Sequence, residues 1–223
     1  MNKAIVLLSG GLDSATVLYY AKDKGFLPHC LIFDYGQRHR KEMASARKLA
    51  EAAGCEYRVV KISLPWKGSS LLDRSIQIEC RDDIDPASIP STYVPARNII
   101  FLSFAASFAE AIAAKVIFIG ANAIDYSGYP DCRPEFFDAY QQALKKGLKA
   151  GVEGRQIKIS APLIRKSKAQ IIKLGLKLKV PYQLTWSCYK GGKYPCGKCD
   201  SCRLRRKGFE LAGAEDPALS RGR

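Results

Sequence analysis

The sequence predicts an α/β fold, an open parallel sheet with helices on both faces, followed by a small C-terminal region with clustered cysteines. Three observations predict it. Short apolar runs alternate with helical patterns along most of the 223 residues, and this alternation is typical of a parallel sheet with crossover helices. Gly25 and Gly54 end the first two helical patterns, as expected of helix C-termini. Four of the eight cysteines lie between residues 188 and 202, which sets that region apart.

The first part of the chain contains three predicted strands and two predicted helices. "AIVLL" is a short apolar run, and a helical pattern follows it after two glycines. The runs "PHCLIFDYG" and "EYRVVKI" contain β-branched and aromatic residues, which favour strands. The elements predicted here are a strand at 4–8, a helix at 14–25, a strand at 28–36, a helix at 39–54 and a strand at 56–62.

The alternation stops between Ser63 and Pro95, where prolines, serines and acidic residues occur without a period. We expect an insertion at about 63–95. From about Tyr182 the chain is basic and rich in cysteine, so we predict an α/β domain at 1–181 and a separate C-terminal region at 182–223. The later elements predicted are a helix at 97–115, a strand at 116–121, a loop at 122–135, a helix at 136–149, a strand at 157–162, a helix at 167–179 and a last helix near 203–211.

The chain is strongly basic, with 36 Lys and Arg against 21 Asp and Glu, a net charge of +15. This charge favours anionic partners such as nucleotides, nucleic acids or an acidic small molecule, although a solvated basic surface explains it equally well. The sequence has no run of about eighteen apolar residues. Asp13 and two glycines interrupt the N-terminal apolar stretch, where a signal peptide would need an unbroken one. We therefore expect a cytoplasmic protein with no membrane partner.

Cys188, Cys196, Cys199 and Cys202 form the pattern C-x7-C-x2-C-x2-C. Four thiolates at this spacing suit a tetrahedral zinc ion, and a site closed by four protein ligands is structural rather than catalytic. A disulfide framework is not expected in a reducing compartment. An iron-sulfur cluster and redox-active cysteine pairs remain alternatives, because iron also accepts four thiolates. The region 182–223 is thus predicted to bind one structural zinc ion per chain.

The turn after the first strand, "SGGLDS" from Ser9 to Ser14, has the composition of a phosphate loop. Glycines let backbone N–H groups converge on an anion, and the N-terminus of the following helix adds unpaired donors. A tight strand-to-helix turn capped by Ser14 is the alternative. No GxxxxGK[ST] or GxGxxG motif occurs in the chain, which argues against P-loop and dinucleotide-binding proteins. The predicted nucleotide-binding residues are Leu8, Ser9, Gly10, Gly11, Leu12, Asp13, Ser14, Ala15 and Thr16.

All fixed positions of "SGGLDS" match, and the string resembles the SGGxDS loop of the PP-loop ATP pyrophosphatase family. The resemblance implies an adenine nucleotide alpha-hydrolase-like domain at 1–181 that binds ATP with Mg²⁺ and cleaves it between the α- and β-phosphates. It also places Lys168 near the ATP phosphates, since a cation in the first turn of a helix is otherwise unfavourable. A solvated Lys168 is the alternative. Asp13 is expected either to help hold Mg²⁺ or only to stabilise the helix start.

Longer parts of the sequence narrow this family. They are "FDYGQRHRKE", "VPARNIIFLSFAASFAE", "IGANAIDYSGYPDCRPEFF" and the four-cysteine tail. Together they resemble the 7-cyano-7-deazaguanine synthase family of queuosine biosynthesis, over nearly the whole chain. The resemblance implies an ATP-dependent carbon–nitrogen ligase that converts 7-carboxy-7-deazaguanine and ammonium into 7-cyano-7-deazaguanine, with release of AMP and pyrophosphate. It also implies a homodimer.

Two successive adenylations would explain this reaction, so positioning and charge stabilisation matter more than a nucleophilic side chain. Arg97 and Arg133 are candidates to neutralise the carboxylate or the phosphates, since a guanidinium fits both. Asp125 and Asp131 are candidates to accept hydrogen bonds from the deazaguanine ring. A surface turn rich in Asp, Ser, Gly and Pro explains that loop without a ligand. The predicted catalytic residues are Arg97, Lys168, Asp125 and Arg133.

Two other functions fit parts of the sequence. A tRNA-modifying relative would suit the charge of +15 and the cysteines. Sulfur relay, however, needs reactive cysteines that are not committed to a metal, and no separate tRNA-binding domain is visible. A zinc-ribbon protein that binds nucleic acid without turnover would show salt-dependent RNA binding. Both rank below the small-molecule ligase, and a nucleic acid partner is not expected.

Overall fold

The computed structural model describes residues 1–78, 80, 88–124 and 128–218. Within these residues, five strands form one parallel sheet in the order β3-β2-β1-β4-β5. The predicted open parallel sheet is therefore confirmed. The strands are β1 (Asn2–Leu7), β2 (Phe26–Asp34), β3 (Glu56–Lys61), β4 (Val116–Phe118) and β5 (Lys158–Ser160).

The central strand β1 is buried on both faces, which explains why its sequence is a continuous apolar run. Successive side chains of a strand point to opposite faces. Ala4 and Val6 accordingly belong to one apolar core, whereas Ile5 and Leu7 belong to another. Each face of the sheet therefore needs its own layer of helices.

Helices cover both faces, as predicted. The described α-helices are α1 (Leu12–Asp23), α2 (Lys41–Ala52), α3 (Arg97–Ala111), α4 (Pro134–Gly147), α5 (Lys149–Val152), α6 (Lys168–Lys177) and α7 (Asp200–Ala212). The core that contains Val6 includes side chains of α1, α2, α6 and α7, and the core that contains Ile5 includes side chains of α3, α4 and α5. The C-terminal helix α7 packs against α6, and α6 packs beside α1.

Three helices begin earlier than the sequence predicts. α4 begins at Pro134 rather than Phe136. α1 begins at Leu12 rather than Ser14, because Gly11 is the N-cap with an extended backbone (φ −78°, ψ 168°). α7 begins at Asp200, and Cys199 is its N-cap. Neither cap makes a side-chain hydrogen bond to its helix, so neither carries the usual Ser, Thr or Asp signal of a helix start.

The described residues between 62 and 96 form neither a helix nor a strand. Arg38 holds part of this segment, because its guanidinium donates hydrogen bonds to the carbonyl oxygens of Ser70, Arg74 and Ile76 at 3.0 to 3.3 Å. The limits of the expected insertion, about 63–95, stay a prediction.

The C-terminal region shares the core of the sheet. Tyr182 and Phe209 are almost completely buried, and their rings meet edge to face at 5.6 Å. Both belong to the core that contains α1 and α6. The division of the chain after residue 181 therefore stays a prediction from sequence.

Among the helices in the described ranges, none combines the length and the apolar character needed to cross a membrane.

Candidate active site

The candidate site lies at the carboxyl ends of β1 and β4, the two neighbouring strands from which the sheet extends in opposite directions. From β1 the chain continues to β2 on one side, whereas β4 lies on the other side of β1. Such a switch point opens a crevice at the carboxyl ends of the strands, where open α/β sheets bind ligands. A cavity of about 240 Å³ lies here, and its walls include Leu8 and Ser9 after β1 and Gly120 to Asn122 after β4. The predicted phosphate loop therefore forms one wall of this cavity.

The phosphate loop turns sharply because Gly10 has a left-handed backbone. Its φ of +91° is one that residues with a Cβ rarely adopt. Ser9 and Ser14 join the two ends of the loop. The Ser14 hydroxyl accepts a hydrogen bond from the Ser9 amide at 3.2 Å and donates to the Gly11 carbonyl at 3.1 Å. The loop is thus held closed by its own hydroxyl groups.

Not all nine predicted nucleotide-binding residues face the cavity. The Ala15 amide donates to the Gly11 carbonyl at 3.1 Å, and the Thr16 hydroxyl donates to the Leu12 carbonyl at 2.9 Å. The Ala15 amide is thus bonded within α1, and the predicted role of Ala15 and Thr16 in nucleotide binding stays a prediction. The available donors are the amides of residues 12–14, which have no partner within the helix. The predicted residues that line the cavity are Leu8, Ser9, Gly11, Leu12, Asp13 and Ser14.

We expect Gly10→Ala to lower the melting temperature strongly and to displace the loop. An added Cβ would lie 2.1 Å from the Glu42 carbonyl oxygen and 2.8 Å from the Ala46 amide nitrogen. The loop and α2 would have to separate, which together with the positive φ is expected to cost about 3 kcal/mol or more. Gly25→Ala is the matched control, since Gly25 has a φ of +76° but nothing within 4 Å of the added Cβ. Thermal unfolding checks the prediction, and equal losses in both variants would contradict it.

Lys168 lies at the phosphate loop, with its Nζ 2.9 and 2.8 Å from the two carboxylate oxygens of Asp13. Reciprocal hydrogen bonds between Ser167 and Gln170 make Lys168 the first residue of α6. Its stem runs close to α7, because a Cβ added at Gly208 would lie 2.4 Å from the Lys168 Cγ. The lysine side chain is 10% exposed and that of the aspartate 21%. From the sequence, Asp13 and Lys168 were each predicted to lie near the phosphates, but the ion pair between them was not predicted.

Arg97, the first residue of α3, supplies a second positive charge to the cavity wall. Burial lowers its pKa, but neighbouring groups, with Tyr35 and Tyr129 foremost, raise it above its usual value. The guanidinium therefore stays charged. The wall beside it is aromatic, and the rings of Tyr35 and Phe101 lie 5.4 Å apart. An anion bound here would meet a fixed charge next to a flat apolar surface.

Asp131 stabilises the start of α3. Its Oδ2 accepts a hydrogen bond from the Asn98 amide at 2.9 Å, and its carbonyl accepts one from the Asn98 Nδ2 at 3.1 Å. Burial raises the pKa of Asp131, whereas the Asn98 amide and the Arg97 guanidinium lower it. Its role in binding the deazaguanine ring stays a prediction. The contacts with Asn98 give it a structural role as well. The neighbouring Cys132 lines the cavity, and burial raises its pKa to about 12, so it is a thiol rather than a reactive thiolate.

Arg97 and Lys168 are the two predicted catalytic residues that line the cavity. Arg133 is exposed and is the N-cap of α4, and it is not part of the cavity wall as described. Asp125 lies outside the described residues. The roles of Arg133 and Asp125 therefore stay predictions.

Three residues at the site were not singled out from the sequence. Glu42 lines the cavity; burial raises its pKa to about 7, and the Arg97 guanidinium opposes this rise. Gly120 allows close contact with the phosphate loop, because an added Cβ would lie 3.0 Å from an amide nitrogen in the first turn of α1. The Trp186 amide donates to the Gly10 carbonyl at 2.9 Å. A glycine near the end of a predicted strand was a usable signal for Gly120, whereas the sequence held no signal for Trp186.

The four cysteines converge into one candidate metal site, as predicted. The Sγ atoms of Cys188, Cys196, Cys199 and Cys202 all lie within 4.8 Å of one another, and those of Cys196 and Cys202 are 4.0 Å apart. A tetrahedral ion with metal–sulfur bonds of about 2.3 Å needs sulfur atoms roughly 3.8 Å apart. The four thiolates therefore fit one four-coordinate ion with little rearrangement.

Solved structures with a similar fold share little sequence with the chain. The NMN synthetase of Francisella tularensis has a TM-score of 0.50 at 18% identity, covering 99% of this chain and 81% of that protein. A 4-thiouridine synthetase in complex with RNA and bound ATP has a TM-score of 0.51 at 17% identity, covering 95% of this chain and 50% of that one. At such identities the likeness concerns the fold alone, which is adenine nucleotide alpha-hydrolase-like.

Sequence relatives are much more similar. The 7-cyano-7-deazaguanine synthase of Thermoplasma acidophilum is 56% identical over 217 residues, which cover 97% of this chain and 91% of that protein. The enzyme of the same name from a Nostoc species is 53% identical over 219 residues, which cover 96% of each. The family model described as queuosine biosynthesis protein QueC matches residues 3–213. The chain therefore belongs to the QueC family of queuosine biosynthesis proteins.

Proposed function

We propose that this chain is the ATP-dependent ligase that converts 7-carboxy-7-deazaguanine and ammonium into 7-cyano-7-deazaguanine. Relatives that bear the name of this synthase match nearly the whole chain. The observation that carries the proposal is that a single cavity is lined by the phosphate loop, Lys168 and Arg97. That cavity offers a place for ATP and a cation for the carboxylate that ATP must activate.

The nucleotide part of the proposal concerns the phosphate loop. The first-turn amides of α1 and the positive end of its dipole favour the β- and γ-phosphates, which leave together as pyrophosphate. The Lys168 ammonium is bound to Asp13 in this structure. ATP arrives with Mg²⁺, for which the Asp13 carboxylate is a suitable ligand. We expect the phosphates to replace Asp13 as the partner of Lys168, so that every charge stays compensated.

The acid part of the proposal concerns Arg97 and the aromatic wall. A guanidinium binds a carboxylate through two parallel hydrogen bonds, and Arg97 keeps its charge at this position. The rings of Phe101 and Tyr129 give an apolar surface on which the flat deazaguanine ring can pack. Asp125 remains the proposed acceptor for the ring, and Arg133 a proposed partner of the carboxylate or the phosphates.

The reaction requires two adenylations in succession. The substrate carboxylate attacks the α-phosphorus of ATP, pyrophosphate leaves, and ammonia then displaces AMP to give the amide. The amide oxygen attacks the α-phosphorus of a second ATP, pyrophosphate leaves again, and loss of AMP and of both N–H protons gives the nitrile. No side-chain nucleophile takes part, which agrees with the raised pKa of Cys132. The chain contributes by orienting the anions and stabilising the charge that develops on them.

Product analysis tests the proposal. The purified chain, given 7-carboxy-7-deazaguanine, ammonium, Mg²⁺ and ATP, is expected to release two AMP and two pyrophosphate for each nitrile formed. ADP and phosphate as the products would contradict the mechanism. A mixture in which tRNA and a sulfur donor replace the acid is the control for a tRNA-modifying function. AMP release in that mixture alone would favour the alternative.

The metal in this proposal is one zinc ion held by the four cysteines. In an iron-sulfur cube each thiolate binds a different iron, so the sulfur atoms must lie farther apart than around a single ion. The separations of at most 4.8 Å support a single ion. Zinc bound there would supply no chemistry and would stabilise the C-terminal region. Elemental analysis is expected to give one zinc per chain, whereas iron with inorganic sulfide would contradict this assignment.

The homodimer and the cytoplasmic location implied by the sequence belong to the same proposal. α3 presents Ile99 and Phe104, which are 40% and 41% exposed, and aromatic side chains such as Phe104 are enriched where subunits meet. Free thiolates for the metal also need a reducing compartment. Sedimentation velocity measures the oligomeric state, and a monomer at micromolar concentration would contradict the dimer.

A further inference from the structure

A strap, residues 182–188, leads from the end of α6 to the first cysteine of the metal site and lies directly on the phosphate loop. The Trp186 amide donates to the Gly10 carbonyl at 2.9 Å, and the Trp186 carbonyl oxygen is 3.7 Å from the position of a Cβ added at Gly11. Trp186 and Ser187 also line the cavity. The position of the strap therefore determines the position of the loop.

Arg205 of α7 holds the strap on both sides of Trp186. Its Nη1 donates to Thr185 Oγ1 at 2.7 Å and to Ser187 Oγ at 3.3 Å, and its Nη2 donates to the Tyr182 carbonyl at 3.2 Å. Arg205 is only 7% exposed, so water and salt screen these bonds little. One buried side chain thus organises the whole strap.

Asp216, which follows the end of α7, balances the charge of Arg205. The Arg205 Nε donates to Oδ2 at 2.7 Å and the Nη2 donates to Oδ1 at 2.8 Å, and Asp216 is 9% exposed. A guanidinium has five N–H donors. These two bonds and the three to the strap use all five of them. Arg205 reaches the cavity wall but has no donor left for a phosphate, so it acts on ATP through the strap.

We propose that Arg205 and Asp216 form a positioning pair for ATP, because they fix the strap and the strap fixes Gly10. The inference rests on the proposed function. The candidate metal site supports the same arrangement, since Cys188 ends the strap and Cys202 lies one turn before Arg205 in α7. A strap released from Arg205 lets the loop shift, and a displacement of about 1 Å in a reactive geometry lowers a rate roughly a hundredfold.

Asp216→Asn and Arg205→Lys test the pair. Asparagine keeps the shape of Asp216 without its charge, and lysine keeps the charge of Arg205 with only three donors. Calorimetry gives the Kd of ATP, AMP release gives the KM of each substrate, and metal content and Tm are measured for each variant. We expect the Kd and KM of ATP to rise about tenfold or more, the KM of the acid to change less than about twofold, and the metal to be retained.

Arg206→Lys is the matched control, because Arg206 is 57% exposed and its ion pair with Glu210 is 3.9 Å long. Its ATP Kd is expected to stay within about twofold of the wild type, as for an exposed pair. An unchanged Kd in folded, metal-loaded Asp216→Asn would overturn the proposal, and so would an equal loss in Arg206→Lys. Asp216→Asn decides the matter if Arg205→Lys does not fold. Failure of the proposed function would appear differently, as absence of nitrile with the wild-type chain.

Discussion

Lys168→Met is expected to lower kcat/KM for ATP by about a hundredfold or more. The Lys168 ammonium lies beside the phosphate loop, within hydrogen-bonding distance of both Asp13 oxygens. Loss of one preorganised charge where negative charge develops typically costs two to three orders of magnitude in rate. Methionine keeps a stem that can pack against Gly208, where the lysine stem lies now. AMP release at varied ATP concentration measures the effect.

Two further variants separate this catalytic role from charge balance. Lys173→Met, on the exposed side of α6, is the control and is expected to keep near wild-type activity. The single variant leaves the Asp13 carboxylate without Lys168, whereas the double variant Asp13→Asn/Lys168→Met removes both charges. Its melting temperature should recover while its activity stays low. Recovery of activity in the double variant would mean that Lys168 serves only Asp13.

Cys196→Ser is expected to release the metal and to lower the melting temperature by about 10 °C. Binding of structural zinc is worth about 10–16 kcal/mol in small zinc domains. A neutral hydroxyl replaces one of four thiolates, and for a chain of this size each kcal/mol lost corresponds to about 2–4 °C. Loss of even about 4 kcal/mol therefore produces a shift of about 8–16 °C. Differential scanning fluorimetry with elemental analysis measures both quantities.

Cys80→Ser is the control for that variant, because Cys80 is exposed and does not belong to the four-cysteine cluster. Its metal content and melting temperature are expected to match those of the wild type. If Cys196→Ser lost its metal and still unfolded at the wild-type temperature, the structural role of the metal would be wrong.

The sheet was predictable because its pattern is local. β1 is an apolar run followed closely by two glycines, and β2 and β4 contain apolar runs with a glycine two residues after the strand. The starts of α1 and α7 were less predictable. Their N-caps are Gly11 and Cys199, and neither has the side-chain oxygen of the Ser, Thr, Asp or Asn that most often marks a helix start.

The site was predictable in part. Its phosphate loop and its two cations, Arg97 and Lys168, were found from sequence, and both cations line the cavity. The sequence did not show that Asp13 is the partner of Lys168 in the protein without ATP, because the two residues are 155 positions apart in the chain. The sequence did not predict the contact of Trp186 with the phosphate loop either, because it is a backbone hydrogen bond and does not depend on the type of side chain.

The sequence by itself determined the α/β class, and it predicted the phosphate loop and the four cysteines of the candidate metal site, because each of these depends on residues that are close along the chain. Only the tertiary structure decided which charges meet. Lys168 meets Asp13 because α6 packs beside α1, and Arg205 meets the strap because α7 packs against α6. The physical reason is that helix packing follows from the apolar cores as a whole, so no local pattern of charges reports where two distant side chains will lie.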